Sequence, residues 1–155
     1  KSASESGYHL DGVDKEIVYM LMDNAKTSLA HISKHVGIST TAVHQRIKKL
    51  EQAGVIENSI SFLNPRKIGY KVVSYIGVYL DQPSHYQDAI HNLNLVTEVA
   101  EAHDTTGNST IFLKVLCKDN DHLMEILNKI QKLKGVTRTE TILSLEQSIS
   151  RQLKV

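Results

Sequence analysis

Apolar residues recur at helical intervals through the first third of the chain. Val13, Ile17, Met20 and Leu21 share one helical face behind Asp11, a side chain suited to capping. Ser28 opens a second helix with Leu29, Ile32 and Val36 on one side, and Gly37 is placed to end it in the left-handed conformation. Ser39 then caps a third helix. Its apolar stripe, Val43, Ile47 and Leu50, follows i, i+4, i+7 spacing and stops before Gly54. Two short β-type stretches follow, Val55–Ile56 and Ile60–Leu63, separated by Glu57, Asn58 and Ser59. Three short helices and a small hairpin describe a winged helix-turn-helix, with Ile38 plugging its small core.

Beyond Pro65 and Gly69 the period changes. Lys71–Leu80 is rich in Val, Ile and Tyr and predicts a strand, and Ser84–Leu93 suits a helix. Val96–Thr105 and Thr110–Cys117 predict two strands joined by the turn composition Thr106-Gly107-Asn108-Ser109. Asp121–Leu133 is helical, with Leu123, Ile126, Leu127 and Ile130 inward. Gly135 closes it, and Val136–Leu145 is a last strand. The order βαββαβ is the ferredoxin-like split arrangement. The fold class is therefore α+β. It divides into a polar arm over 1–9, a winged helix-turn-helix over 10–63, a linker over 64–70 and an αβ domain over 71–155.

Composition narrows this picture only in places. A chain of 155 residues with 41% hydrophobic residues can bury a core. The net charge of +1 names no partner, but its distribution does more. Between Asn24 and Leu50 there is no Asp or Glu, while Lys26, Lys34, Arg46, Lys48 and Lys49 all fall there. This is an electrostatic footprint for phosphate, or else a solvated face with chance clustering. Cys117 is the single cysteine, which excludes an intramolecular disulfide framework and fits a reducing compartment. Its apolar neighbours, Ile111 to Leu116, mark it as a small buried hydrophobe. No apolar run approaches the roughly 20 residues of a membrane helix, and KSASESGYHL lacks a signal-peptide core. A cytoplasmic protein that does not enter the membrane is expected.

The third helix carries the candidate chemistry. With Val43, Ile47 and Leu50 inward, Thr41, Gln45, Lys48 and Gln52 face outward. Lys49 lies beside them, and His44 and Arg46 flank the stripe. A recognition helix needs such a thin apolar keel and an outer face that reaches base edges. Thr40, Thr41, Gln45 and His44 are the candidates for base readout, and Lys34, Arg46, Lys48 and Lys49 for phosphate. Ser39, which caps the helix start, is counted with them at the DNA face. The pattern alone does not separate DNA binding from a scaffold role.

Elsewhere the signals are weaker. His31 and His35 have the spacing of two metal ligands on a helix but lack the Glu of HExxH and a third ligand, so no metal is assigned. No Ser-His-Asp arrangement or phosphate-binding loop is readable, and nothing calls for a cofactor or a catalytic residue. Glu98, Glu101 and Asp104 read as surface or interface charges. In HDTTGNST, Gly107 admits close backbone approach, and Thr106, Asn108, Ser109 and Thr110 offer uncharged donors and acceptors. The same composition also suits an ordinary hairpin turn.

Several separated motifs together resemble the leucine-responsive regulatory protein (Lrp/AsnC) family. They are Leu10-Asp11 with Asp14 and Ile17, VGIS at Val36–Ser39, and RIKKLEQAGVI from Arg46 to Ile56. Asn64-Pro65 with Ile68-Gly69, Thr106-Gly107, and Gly135-Val136 complete the set. The resemblance runs from about Leu10 to the C-terminus. It implies a DNA-binding transcriptional regulator whose αβ domain forms dimers, commonly further assembled into octamers. A small effector, usually an amino acid, then binds at the contact between dimers through Asp104, Thr106, Gly107, Asn108, Ser109, Thr110 and Ile142. In the family an Asp usually stands three residues after the loop Gly, and here that position is Thr110. The two-domain layout also resembles sirohaem decarboxylases, so an enzyme remains the alternative.

Overall fold

The computed structural model describes residues 7–155, so most of the polar arm expected over 1–9 lies outside the described residues. The chain forms two compact units. One is helical and runs to Phe62, taking in Ser150–Val155 as well; the other spans Leu63–Ile149. The last six residues were expected with the αβ domain, yet they group with the helices. Within that helical unit the Tyr19 hydroxyl donates to the Val155 backbone carbonyl.

The helical unit contains α1 (Gly12–Asp23), α2 (Leu29–Val36) and α3 (Thr40–Gln52). Each starts where a capping side chain predicts. Asp11 and Asp14 form a capping box: the Asp14 N–H donates to Asp11 Oδ1 at 2.7 Å and the Asp11 N–H to Asp14 Oδ2 at 3.3 Å. Ser28 and Ser39 accept from the amides of His31 and Ala42. Gly37 takes φ +73 and turns the chain between α2 and α3. The Ser33 hydroxyl pins that turn by donating to the Ile38 carbonyl at 2.5 Å. Ile17, Ile32 and Val43 are buried together, with Ile38 and Ile47 packed against them.

The two strands predicted after α3 are a correction. Among the described residues neither Val55–Ile56 nor Ile60–Leu63 pairs as a strand. Val55 and Ile56 turn back onto the Leu50 carbonyl, which accepts both their amides. Ile60, Phe62 and Leu63 stay exposed, so their β-propensity finds no ladder to join.

The second unit follows the predicted order: β1 (Val72–Leu80), α4 (Tyr86–Asn94), β2 (Val99–Asp104), β3 (Ile111–Cys117), α5 (Asn120–Gln131) and β4 (Val136–Ser144). All pairings are antiparallel, in the sheet order β2-β3-β1-β4. The linker expected over 64–70 holds a 3-10 turn at Pro65–Ile68, capped by Asn64 and ended by Gly69 at φ +95. One face of the sheet is covered by α4 and α5. Ile76 and Val78 from β1, and Ile111, Leu113, Val115 and Cys117 from β3, pack there against Ala89, Leu93, Leu123, Ile126 and Ile130. Burial pushes the Cys117 thiol up to about 11, as befits an inert core residue.

Two predicted boundaries move. The second strand begins at Val99 rather than Val96, because Val96 to Glu98 form a turn followed by a bulge between Val99 and Glu101. That turn aims Glu98 at His122 Nε2, 3.0 Å away, so it is not a surface charge. Burial raises the Glu98 carboxyl, but the His122 bond and its own backbone amide outweigh that and leave it below its ordinary value. The fifth helix ends at Gln131, four residues before Gly135, so that glycine serves the turn into β4.

The other sheet face is open. Val73, Tyr75, Gly77 and Tyr79 of β1 look outward on it, with Phe112, Lys114 and Leu116 beside them on β3. On the other side stand Arg138, Glu140 and Ile142 of β4. Tyr75 and Phe112 lie nearly parallel, 6.0 Å apart.

Candidate nucleic-acid interface and effector loop

The buried keel of α3 is Val43 and Leu50, with Ile47 half-buried. This orientation exposes Thr40, Thr41, His44, Gln45, Lys48 and Lys49 to solvent, and Lys34 on the last turn of α2 as well. Ser39 is exposed; its oxygen accepts from the Ala42 amide, which caps the helix, and its O–H is left to donate outward.

Arg46 departs from its predicted role. Its Nη1 lies 2.7 Å from Asp11 Oδ2 and 2.7 Å from Asp14 Oδ1, at the capping box of α1. The acid-free stretch thus meets acids supplied from the preceding helix. A guanidinium neutralised by two carboxylates has little charge left for a phosphate, and here it fastens α3 to α1. The amide of Asp14 and then the Arg46 guanidinium hold the Asp11 carboxyl below its ordinary value. Arg46→Ala leaves the Asp14 carboxylate, whose side chain is 11% exposed, without its cation; this costs the helical unit about 1–2 kcal/mol. A depressed carboxyl stabilises the fold above its unfolded value and loses that contribution as pH falls through the folded one. Stability of the variant therefore falls less steeply below about pH 4, the unfolded carboxyl range. The part of the slope due to the Asp14 amide remains. Urea midpoints at pH 7 and pH 3 check both statements.

The histidines of α2 do not gather ligands: His35 Nε2 sits 3.2 Å from Glu16 Oε2, on α1.

In the αβ unit, the turn after β2 is closed by the Thr105 amide donating to the Thr110 carbonyl at 3.3 Å. The Thr105 hydroxyl donates to the Ser109 carbonyl at 3.0 Å. Gly107 takes φ +105 with open space where a side chain would stand, so the turn requires a residue that tolerates positive φ. Thr106, Gly107 and Asn108 are exposed, while Ser109 and Thr110 are half-buried. The Thr110 amide donates to the Val78 carbonyl at 2.9 Å. Ser109 rests on Gly77: a Cβ there would come within 3.2 Å of Ser109 Cβ.

The predicted effector set divides on this geometry. Asp104 stands opposite Ile111, so it faces the helix layer, and the Tyr86 hydroxyl donates to its Oδ1 at 2.5 Å. That bond, then burial, raises the Tyr86 hydroxyl above its ordinary value. Ile142 stands opposite Tyr75 on the open face, and β4 is the sheet edge remote from β2. Asp104 and Ile142 therefore lie on opposite faces and opposite edges of the sheet, and one chain does not bring them to one ligand. Neither the Tyr86–Asp104 bond nor Ser109 seated on Gly77 is legible in the sequence, since both depend on strand register.

Comparison with known proteins agrees with this division of labour. The winged helix-turn-helix DNA-binding family matches residues 10–57, and the Lrp/AsnC ligand binding domain matches residues 73–153. The chain is 38% identical over 148 residues to regulatory protein AsnC of Escherichia coli strain K12, covering 95% of this chain and 97% of that one. It is 31% identical over 137 residues to the HTH-type transcriptional regulator FL11 of Pyrococcus horikoshii, covering 88% and 90%. The solved structure of E. coli AsnC superposes with a TM-score of 0.91 at 37% identity, over 96% of this chain and 100% of that one. The feast or famine regulatory protein of M. tuberculosis, solved with L-methionine, superposes at 0.87 with 26% identity, over 95% and 100%. Among the described residues no helix is long and apolar enough to cross a membrane. Joining a DNA-binding helix-turn-helix to an αβ ligand-binding domain along nearly its whole length, the chain belongs to the Lrp/AsnC family of transcriptional regulators.

Proposed function

We propose that the protein is a sequence-specific regulator that acts on DNA as a dimer and answers to an amino acid. The observation that carries the DNA reading is the outward face of α3. Thr41, Gln45 and Lys48 are exposed opposite the buried Val43 and Leu50. Thr40, Thr41, His44 and Gln45 read base edges, and Lys34, Lys48 and Lys49 meet phosphates. The open sheet face supports pairing with a second copy. Val73, Tyr75, Phe112 and Leu116 form an apolar strip there that the chain itself leaves half-covered. A two-fold pair built on it presents two recognition helices to one side of the duplex. Such dimers assemble further, commonly into octamers, with the loop after β2 at the contact between them. The effector reading draws on the L-methionine complex of the M. tuberculosis relative and on the uncharged donors of the loop. A cytoplasmic location is part of this proposal, and the single buried cysteine is consistent with it.

The enzyme alternative gains no support from the histidines. His35, His85, His103 and His122 each pair with a different carboxylate, on Glu16, Asp81, Glu101 and Glu98. These four form no shared cluster, and the regulator names of the relatives support the reading that the protein is not an enzyme.

Footprinting on the DNA upstream of its own gene, with and without each amino acid, tests this. Expected are protected half-sites about 34–36 Å apart centre to centre, or multiples of that spacing. Affinity falls steeply with salt, and at least one amino acid changes the protection. Salt-insensitive binding, or none, sinks the regulator reading. A footprint that no amino acid alters sinks only the effector part.

A further inference from the structure

The two carboxylates that cap α1 also grip α3. Asp11 and Asp14 each hold the Arg46 guanidinium at 2.7 Å, so the first turn of α1 is fastened against one flank of the recognition helix. The chain that enters α1 is delivered to the same flank. Tyr8 stands three residues before Asp11. With Ala42, Gln45 and Lys49 of α3 it borders a recess of about 370 Å³, which Asp11, Asp14 and Arg46 also line. We propose that Tyr8 is a further DNA-contact residue, its hydroxyl donating to the phosphate backbone on the flank where Lys49 stands. This rests on the DNA reading above and adds a residue to it.

The position of the flank decides which part of a duplex it meets. Val43 and Leu50 are buried, so Thr41, Gln45 and Lys48 look outward. At 3.6 residues per turn, Ala42 and Lys49 lie about a quarter turn round the helix from Thr41, on the side of the recess. A helix with its side chains is about 10–12 Å across, and the major groove is about 12 Å wide. The outward face of α3 therefore meets base edges, and its flanks meet the two phosphate backbones. Lys49 and Tyr8 share one such flank. Ala42, with only a methyl group, keeps the recess between them open.

Neither donor on the rim is used by the fold. Tyr8 is 47% exposed. The hydroxyls of Tyr19, Tyr79 and Tyr86 donate within the chain, whereas that of Tyr8 has no partner among the described residues. Lys49 has no ionic partner among them either. A phenol donates to a phosphate oxygen without carrying charge of its own. Such a donor suits this rim. The Asp11 and Asp14 carboxylates are balanced by Arg46 and Lys49 together, so the recess carries no net charge. The backbone is held at the rim by Lys49 and Tyr8, while both carboxylates stay with Arg46.

Anisotropy titrations of the full chain on operator and scrambled duplexes, wild type against Tyr8→Phe, test the assignment. The operator is the stretch that footprinting defines. Phe keeps the ring and removes only the hydroxyl. Affinity is expected to fall about 10-fold on both duplexes, the loss of one hydrogen bond to a charged group. The salt slope is expected to stay unchanged, since no charge that releases a counterion is removed. The urea midpoint should also stay at the wild-type value. Ethylation interference locates the contact, as one phosphate per half-site whose ethylation weakens wild type and not Tyr8→Phe. Unchanged DNA affinity in Tyr8→Phe, with the wild type still binding in a salt-sensitive way, overturns the proposal and leaves the DNA reading intact. A loss confined to the operator overturns it by making Tyr8 a base contact. A lowered urea midpoint overturns it by giving the hydroxyl to the fold. Wild-type protein without salt-sensitive DNA binding overturns both readings.

Discussion

Gly135→Ala should destabilise the αβ unit by about 2–5 kcal/mol, the largest loss expected from any single methyl group added to it. Two costs coincide at this position. The backbone is at φ +85, where an L side chain costs about 1–2 kcal/mol. A Cβ would also stand 2.5 Å from His85 Cβ and 2.6 Å from Nδ1 of its ring. The first of these atoms is next to the backbone, so no rotation of the side chain relieves the clash. The ring is tied as well, with Nδ1 2.6 Å from Asp81 Oδ1, and the Asp81 amide in turn donates to the Gly135 carbonyl at 2.9 Å. Room for the methyl group has to come from moving the start of α4 or the entry to β4. Gly69→Ala is the control. It shares the strained backbone, at φ +95, but a Cβ there meets nothing within 4 Å. Urea midpoints should separate the two variants by the cost of the clash alone. Equal losses would mean that the His85 contact relaxes freely and that only the backbone matters.

That glycine illustrates what the sequence discloses. The helix starts were readable. Asp11, Ser28 and Ser39 cap the helices they precede, because capping depends on residues three apart. The βαββαβ order followed from alternating periods, and the exposed face of α3 from three apolar positions. Gly135 was readable as a turn residue, but His85, fifty positions earlier, was not readable as its neighbour. The ion pairs of Arg46 were hidden for the same reason. That arginine stands in a stretch without acids, and Asp11 and Asp14 reach it across the helix packing. The arrangement of the effector set was legible only in part. Composition located the loop, but which face a strand residue takes depends on register, and that separated Asp104 from Ile142. The predicted wing strands erred the other way: Ile60 to Leu63 have strand-forming side chains and no strand partner among the described residues.

Lys48→Ala and Gln45→Ala should fail differently on DNA, although both side chains project from the same exposed face of α3. A lysine at a phosphate releases a condensed counterion on binding, and its removal should lower the slope of log affinity against log salt by about 0.9. That loss is the same on operator and on random duplex, because every duplex offers the same phosphates. Lys48 has no ionic partner among the described residues, so its charge is not already spent within the protein as that of Arg46 is. Gln45 carries no charge and has no hydrogen-bond partner among the described residues, which leaves its amide free to pair with a base edge. Truncating it should cost about 1–3 kcal/mol on the preferred site, little on random DNA, and leave the salt slope alone. Arg46→Ala supplies the contrast. If it fastens α3 to α1, restoring the fold at low temperature should restore DNA affinity with the wild-type salt slope. Anisotropy titrations from 50 to 300 mM salt, an interval of about this span being enough to resolve one counterion, on operator and scrambled duplexes decide all three. A slope that falls by one in Arg46→Ala would return that residue to the phosphates. An unchanged slope in Lys48→Ala would remove Lys48 from them.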